Sequence, residues 1–265
     1  MNNTSLLNLF SAEFKKLKST PIWWIVIGVG LFITSIVYLR FYNEVNFMTK
    51  IGANPWDRTL QVTLPLFAGF MMGPLVVLLV SGVMFIEQRA NAHKYLYTMP
   101  TTRGKIYFSK LFTIIILLLI ATVLLALLLI IGGYIQSIFR PEYEWTYYQP
   151  NLKEISSSLG QAFFSALSIV AFQYFLCTYF KHFMIPLCIG FLGYVTGFIL
   201  AILNNKIAVL WPFAHPVTSQ DISMFRRDFV EDVWGIFTNV DVSTIIYFIV
   251  FVSLGYIYEV RRNVV

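Results

Sequence analysis

Apolar residues in this chain gather into six runs, each long enough to cross a bilayer and separated by more polar segments. The runs fall at Ile22–Leu39, Val62–Ile86, Ile106–Ile135, Leu159–Phe180, Phe183–Leu203 and Val242–Tyr258. A hydrocarbon core of roughly 30 Å takes about 20 residues of α-helix, so each run predicts one membrane-spanning helix. The third is long enough to tilt or to reach past the membrane. The first follows Lys15, Lys16 and Lys18, as a signal peptide would. It ends in Tyr38-Leu39-Arg40 without a small-residue cleavage site, so the run is expected to be retained.

Three segments between or beside the runs carry patterns of their own. Residues 5–20 place Leu7, Phe10, Phe14 and Leu17 at helical spacing, with the lysines towards the end. This predicts a short amphipathic helix on the membrane surface, stopped by Pro21; a frayed basic tail is the plainer reading. The 87–105 connection, EQRANAHKYLYTMPTTRGK, is helix-compatible until Pro100 and far longer than a link between two spans requires. It reads either as a docking surface or as an ordinary solvated loop. In residues 204–241, an apolar stretch at Ile207–Phe213 closes with Pro212 and Pro216 around His215. Beyond it Ile222, Phe225, Phe229, Val233 and Ile236 recur at helical spacing, with Arg227 and Glu231 four apart. Outer-leaflet or re-entrant helices are expected there, or a helix packed on the outer mouth of the bundle.

Composition agrees with an all-α membrane protein of six transmembrane helices. The chain is 58% apolar and 12% charged, with a mean hydropathy of +0.72, where a soluble domain carries about 25% charged residues. The charge is sorted along the chain. Segments on one side of the predicted spans hold Lys15, Lys16, Lys18, Arg89, Lys94, Arg103, Lys105, Lys110, Lys181, Arg261 and Arg262 against Glu13, Glu87 and Glu259. The other side holds eight basic and ten acidic residues. The excess of lysine and arginine places both termini in the cytoplasm of a bacterial inner membrane. The net charge of +6 is thus a topological signal, and no nucleic-acid partner is needed. Trp23 and Trp24 at one boundary, and Trp56, Trp145, Tyr147 and Tyr148 at the other, suit interfacial belts.

The chemistry that would make an enzyme is not in the sequence. Cys177 and Cys188 lie in apolar stretches without metal-ligand spacing, and His93, His182 and His215 sit in three separate loops. There is no HExxH, and Ser165 and Ser168 have no His or Lys partner in their run, so catalysis on this chain is disfavoured. The deep parts of the runs are uncharged, with Gln161 and Gln173 the main polar exceptions. That disfavours an ion-coupled carrier, although a sodium site of carbonyls and hydroxyls stays open. The chain also lacks GxxxxGK[ST], so an ATPase driving it must be a separate subunit. Gly69-xxx-Gly73 and Gly193-xxx-Gly197 allow close helix contact, with a dimer seam as one use.

These features together resemble a permease subunit of the ABC type-2 exporters, in the broad group of lantibiotic-immunity and other peptide or drug export permeases. The similarity covers essentially the whole chain. It includes FSAEFKKLKST, the six runs, Glu87 at the end of the second, YLYTMPTTRGKIYFSKL and the insertion before the last run. Its most specific part is Met99-Pro100-Thr101-Thr102-Arg103-Gly104-Lys105-Ile106 with Lys110 following, similar to the family's proline–small–small–Arg–x–x–Ile/Val pattern. The resemblance implies a surface helix at 1–21, a permease domain at 22–265, a coupling loop at 87–105 and extracytoplasmic re-entrant helices at 204–241. It implies ATPase docking around Glu87, Arg89, Asn91, His93, Lys94 and Tyr95, with Pro100 and Arg103 positioning the return into the membrane. Ala90-Asn91-Ala92 stands where the family more often has glycines. The implied partners are an ATP-binding-cassette ATPase, a second permease subunit, identical or related, and membrane lipids. No cofactor is expected on this chain, since ATP and Mg belong to the ATPase. A non-transporting assembly or sensory protein, or a secondary carrier, is the alternative. A charge-poor interior fits apolar peptide, lipid or drug-like cargo.

Overall fold

The computed structural model describes residues 6–18, 20–43, 54–89, 102–180, 182–220, 230–233 and 237–261. Among them are six helices long and apolar enough to cross a membrane. A short helix α1 (Leu6–Leu17) precedes α2 (Ile22–Asn43), the first span. The second span joins α3 (Pro55–Leu64), a π-helical segment (Pro65–Met71) and α4 (Met72–Arg89). The third is α5 (Arg103–Phe139), the fourth α6 (Leu152–Tyr179) and the fifth α7 (Met184–Ile202). Short 3-10 turns at Lys206–Leu210 and Pro212–Ala214 and the four-residue helix α8 (His215–Thr218) come next. A ribbon of β1 (Asp232–Val233) and β2 (Phe237–Thr238) then leads to α9 (Asn239–Arg261), the sixth span.

All the predicted runs recur as helices, most of them longer at one or both ends, because polar caps rather than hydrophobicity decide where a helix starts. Asn54 accepts a hydrogen bond from the Trp56 amide at 3.0 Å, with Pro55 in the first helical position, so α3 begins well before the apolar run. Asn151 does the same for α6 through the Glu154 amide at 3.3 Å. With 37 residues, α5 extends about 55 Å, far more than the bilayer core needs.

Inside the second span, Pro65 lacks the amide an α-helix would use, and its ring crowds the preceding turn. The backbone widens there: the Met72 amide reaches Phe67 O, five residues back. The Tyr194 hydroxyl, from α7, reaches the carbonyls of Gly69 (2.9 Å) and Phe70 (3.0 Å) in the widened segment. A Cβ at Gly73 would overlap the Tyr194 ring. Glycine there is what lets α7 come so close.

The fourth span lies at the centre of the bundle. Ala162, Ala166, Ile169, Val170, Ala171 and Tyr174 are fully buried, and the small residues among them let α4, α5 and α9 close in. Gln173 Nε2 donates to Ser81 Oγ at 3.1 Å and to Pro186 O at 3.0 Å, tying the fourth span to the second and fifth. In a medium without water such a donor needs a protein acceptor. The first span and α1 pack on α5. The outer faces of α2, α7 and α9 remain apolar, with Phe32, Leu192, Ile199, Ile246 and Ile249 exposed, as contact with lipid requires.

The described part of the insertion before the last span is made of turns, one short helix and an antiparallel pairing, and that pairing stands where helical spacing was expected at Val233. Asp232 stands opposite Thr238 and Val233 opposite Phe237. Glycine is costly inside a helix, and Gly235 falls between the two strands. The Asp241 carboxylate then accepts from the Thr238 amide at 2.9 Å, turning the ribbon into α9. Residues 221–229, which hold most of the predicted apolar face, lie outside the described residues.

Candidate functional site

Two regions at opposite ends of the bundle carry the features a working membrane subunit would use. The first is the basic end, where α4 stops and α5 begins. Helix α4 continues through Glu87 to Arg89, so both residues occupy its last turn. Asn91, His93, Lys94, Tyr95 and Pro100 lie outside the described residues. Arg103 opens α5 and donates from Nη1 to Val260 O at 3.1 Å, beside the last carbonyls of α9. Cations are favoured at a helix C-terminus, where carbonyls lack amide partners.

Further contacts fix the same junction, and the sequence pattern did not mark them. Tyr107 donates to Val252 O at 3.0 Å and its ring lies over Gly255, where a Cβ would come 2.5 Å from the hydroxyl. Tyr174 donates to Tyr107 O at 2.9 Å. Gly104 faces the Tyr256 ring. The first turns of α5 are therefore fastened to both α6 and α9. The readable signal was the tyrosine four residues after Arg103, but without the fold nothing pointed to Gly255 as its counterpart. Lys110 is buried at 7% exposure on the same stretch. Helix α1 packs on α5, with Leu17 buried and the tilted rings of Phe10 and Phe14 4.8 Å apart. Glu13 is also buried on that helix, holding Lys16 at 2.8 Å.

The second region is the turn-rich wedge at 206–219. Trp211 Nε1 donates to Gly193 O at 2.8 Å, and the Phe213 ring lies on Gly193, where a Cβ would meet it at 2.7 Å. A Cβ at Gly197 would meet the Ala214 amide nitrogen at 2.9 Å. Ser168 donates to Pro212 O at 3.0 Å and Ser219 to Ser165 Oγ at 3.0 Å. Gly193 is the tenth of nineteen residues in α7, and Ser168 the seventeenth of twenty-eight in α6. The wedge thus meets both spans near their middles. Gly193 and Gly197 are met by the wedge and Gly73 by Tyr194, so these close approaches lie within the chain.

His215 anchors the wedge. One ring nitrogen, Nε2, is 2.9 Å from Val209 O and must donate to it, since a carbonyl only accepts. Nδ1 therefore accepts from the Thr244 hydroxyl, also at 2.9 Å. The imidazole is fully buried, and burial lowers its pKa to about 4, against the opposing pull of the Val209 hydrogen bond and the Asp241 charge. It is held neutral, as a structural hydrogen-bonding group.

A family model described as "ABC-2 family transporter protein" matches residues 9–197, from α1 into the second half of α7 and across the 87–105 connection. No curated protein and no solved structure matches the chain.

Proposed function

The chain belongs to the ABC-2 transporter family, and on that premise we propose that it is an export permease whose driving force arrives from a separate ATPase at the 87–105 connection. As a member it is a multi-pass membrane protein and a permease subunit of an ABC transporter. The observation that carries the finer reading is the family match itself, which includes the connection between the second and third spans. The Arg103, Tyr107 and Tyr174 contacts support it, because a push on that connection would reach α9 and α6 through fixed hydrogen bonds.

In this reading the basic end faces the cytoplasm with both termini, and the ATPase docks around Glu87, Arg89, Asn91, His93, Lys94 and Tyr95. ATP and Mg are bound on that partner. Pro100 and Arg103 set the angle at which the chain re-enters the membrane. The wedge at 206–219 acts as a re-entrant gate on the exit side, and a second permease subunit completes the path. The uncharged interior suits an apolar peptide, lipid or drug-like cargo.

Purification of the chain with its genomic neighbours tests this directly. A soluble ATPase should copurify and change its ATP turnover when the permease is present. Replacing Glu87 with lysine or Tyr95 with alanine should leave both subunits folded yet separate ATP turnover from transport. Transport by the chain alone, driven only by an ion gradient, would defeat the reading.

A further inference from the structure

The elbow between α1 and α2 holds a cavity that the transport reading does not use. Its volume is about 550 Å³, and it is lined by Lys18, Thr20, Pro21, Trp23, Trp24 and Ile27. Pro21 lets the chain turn sharply from α1 into the first span, and the Thr20 hydroxyl closes that turn by donating to Leu17 O at 2.8 Å. The turn sets a cation and two indole rings around one opening. Trp24 is 79% exposed and Trp23 is half-buried against the core. Apolar Ile27, 38% exposed, continues the opening along the lipid-facing side of α2.

We infer that this elbow cavity is a binding site for an anionic phospholipid, with the headgroup phosphate at Lys18 and the first acyl carbons along Trp24 and Ile27. The inference rests on the reading that α1 lies at a membrane surface, and it needs no ATPase. A cation at the mouth, indole rings at the polar boundary and an aliphatic side chain below follow the order of charge and polarity in a phospholipid. Lys15 and Lys16 on the last turn of α1 add positive charge around the mouth, with Lys16 shared with Glu13. A soluble phosphate would use the lysine but would leave Trp24 and Ile27 unaccounted for.

The test uses the full chain in a neutral detergent. Phosphatidylglycerol brominated near its carbonyl ends is titrated against tryptophan fluorescence and compared with equally brominated phosphatidylcholine. Quenching should half-saturate at about fivefold less phosphatidylglycerol than phosphatidylcholine, the difference one lysine makes at an anionic surface. Lys18→Gln should erase that preference, and Trp24→Phe should remove most of the quenchable signal. Lys153→Gln, an exposed lysine at the far end of the bundle, should change neither. Equal quenching by the two lipids, or a Lys18→Gln chain that keeps the preference, would overturn the site. Displacement of the brominated lipid by millimolar inorganic phosphate would make it an anion site and overturn the lipid assignment. Because no step involves ATP or transport, failure here leaves the export reading standing, and failure of export leaves this result interpretable.

Discussion

The insertion end and the basic end of this bundle are finished in different ways. At the insertion end the chain supplies its own partners. Trp211, Phe213 and Ala214 sit on Gly193 and Gly197, His215 spends both ring nitrogens, and Ser165 and Ser168 are met by Ser219 and Pro212. At the basic end, the described residues are fastened at the roots of the helices, through Arg103, Tyr107 and Tyr174 and by α1 packed on α5. Around those roots lie the exposed Lys15, Lys16 and Lys18, an open cavity at Lys18 and a span whose last turn includes Glu87. A wedge whose ring nitrogens and serine hydroxyls find partners within the chain is held without a second molecule. An end that displays charge and cavities is suited to what binds it.

If that contrast holds, substitutions in the wedge should cost stability, whereas those at the basic end should cost function. The largest loss is expected for Gly197→Ala. The new methyl group would press on the Ala214 amide, a backbone atom that cannot rotate away. Overpacking of this kind costs about 3 kcal/mol, seen as a large fall in melting temperature in detergent. Gly28→Ala, at a position with open space around it, is the matched control and should change little. Equal effects at both glycines would break the comparison.

Next in size is the response to acid. His215 binds its proton less readily in the folded chain than unfolded, so the unfolded state takes up protons first as pH falls. The stability tied to the neutral ring is complete above the ordinary histidine range, near pH 6.5. It is lost as pH falls from there towards about 4 and amounts to about 3 kcal/mol. Melting curves from pH 7 to 4 should therefore slope downward, and His215→Gln should flatten that slope at a lower starting stability. A smaller loss, of about 1 kcal/mol, is expected for Tyr194→Phe, which leaves the Gly69 and Phe70 carbonyls without the hydroxyl.

The six spans were legible because twenty-residue apolar runs have few other uses, whereas the widened turn after Pro65 in the second run went unread. The wedge was legible only as an apolar stretch interrupted by prolines. Its hydrogen-bond partners on α6 and α7 lie up to 54 residues away in sequence, and a glycine pair looks the same whether it receives another chain or a phenylalanine of its own. The helix expected at 222–236 is replaced at Val233 by strand pairing, which the helical period did not foretell. Arg103 could be singled out by its pattern, yet its acceptor, Val260 O, is a backbone atom that no pattern encodes.

Arg103 therefore gives the sharpest test of the basic end. Its guanidinium is partly exposed and its hydrogen bond to Val260 O is at the surface, so Arg103→Gln should cost no more than about 0.5 kcal/mol of stability. The substitution nevertheless loosens the first turn of α5 from the end of α9, while Tyr107 still holds the next turn through Val252 O. If force enters at the 87–105 connection, that slack should lower transport per ATP hydrolysed severalfold, with the melting temperature nearly unchanged. Lys should restore part of the loss, since it keeps the charge near the α9 carbonyls without the planar fork. A variant that melts like the parent and transports like the parent would mean that the junction is only packing. The functional asymmetry between the two ends would then have to rest on Glu87 and the connection itself.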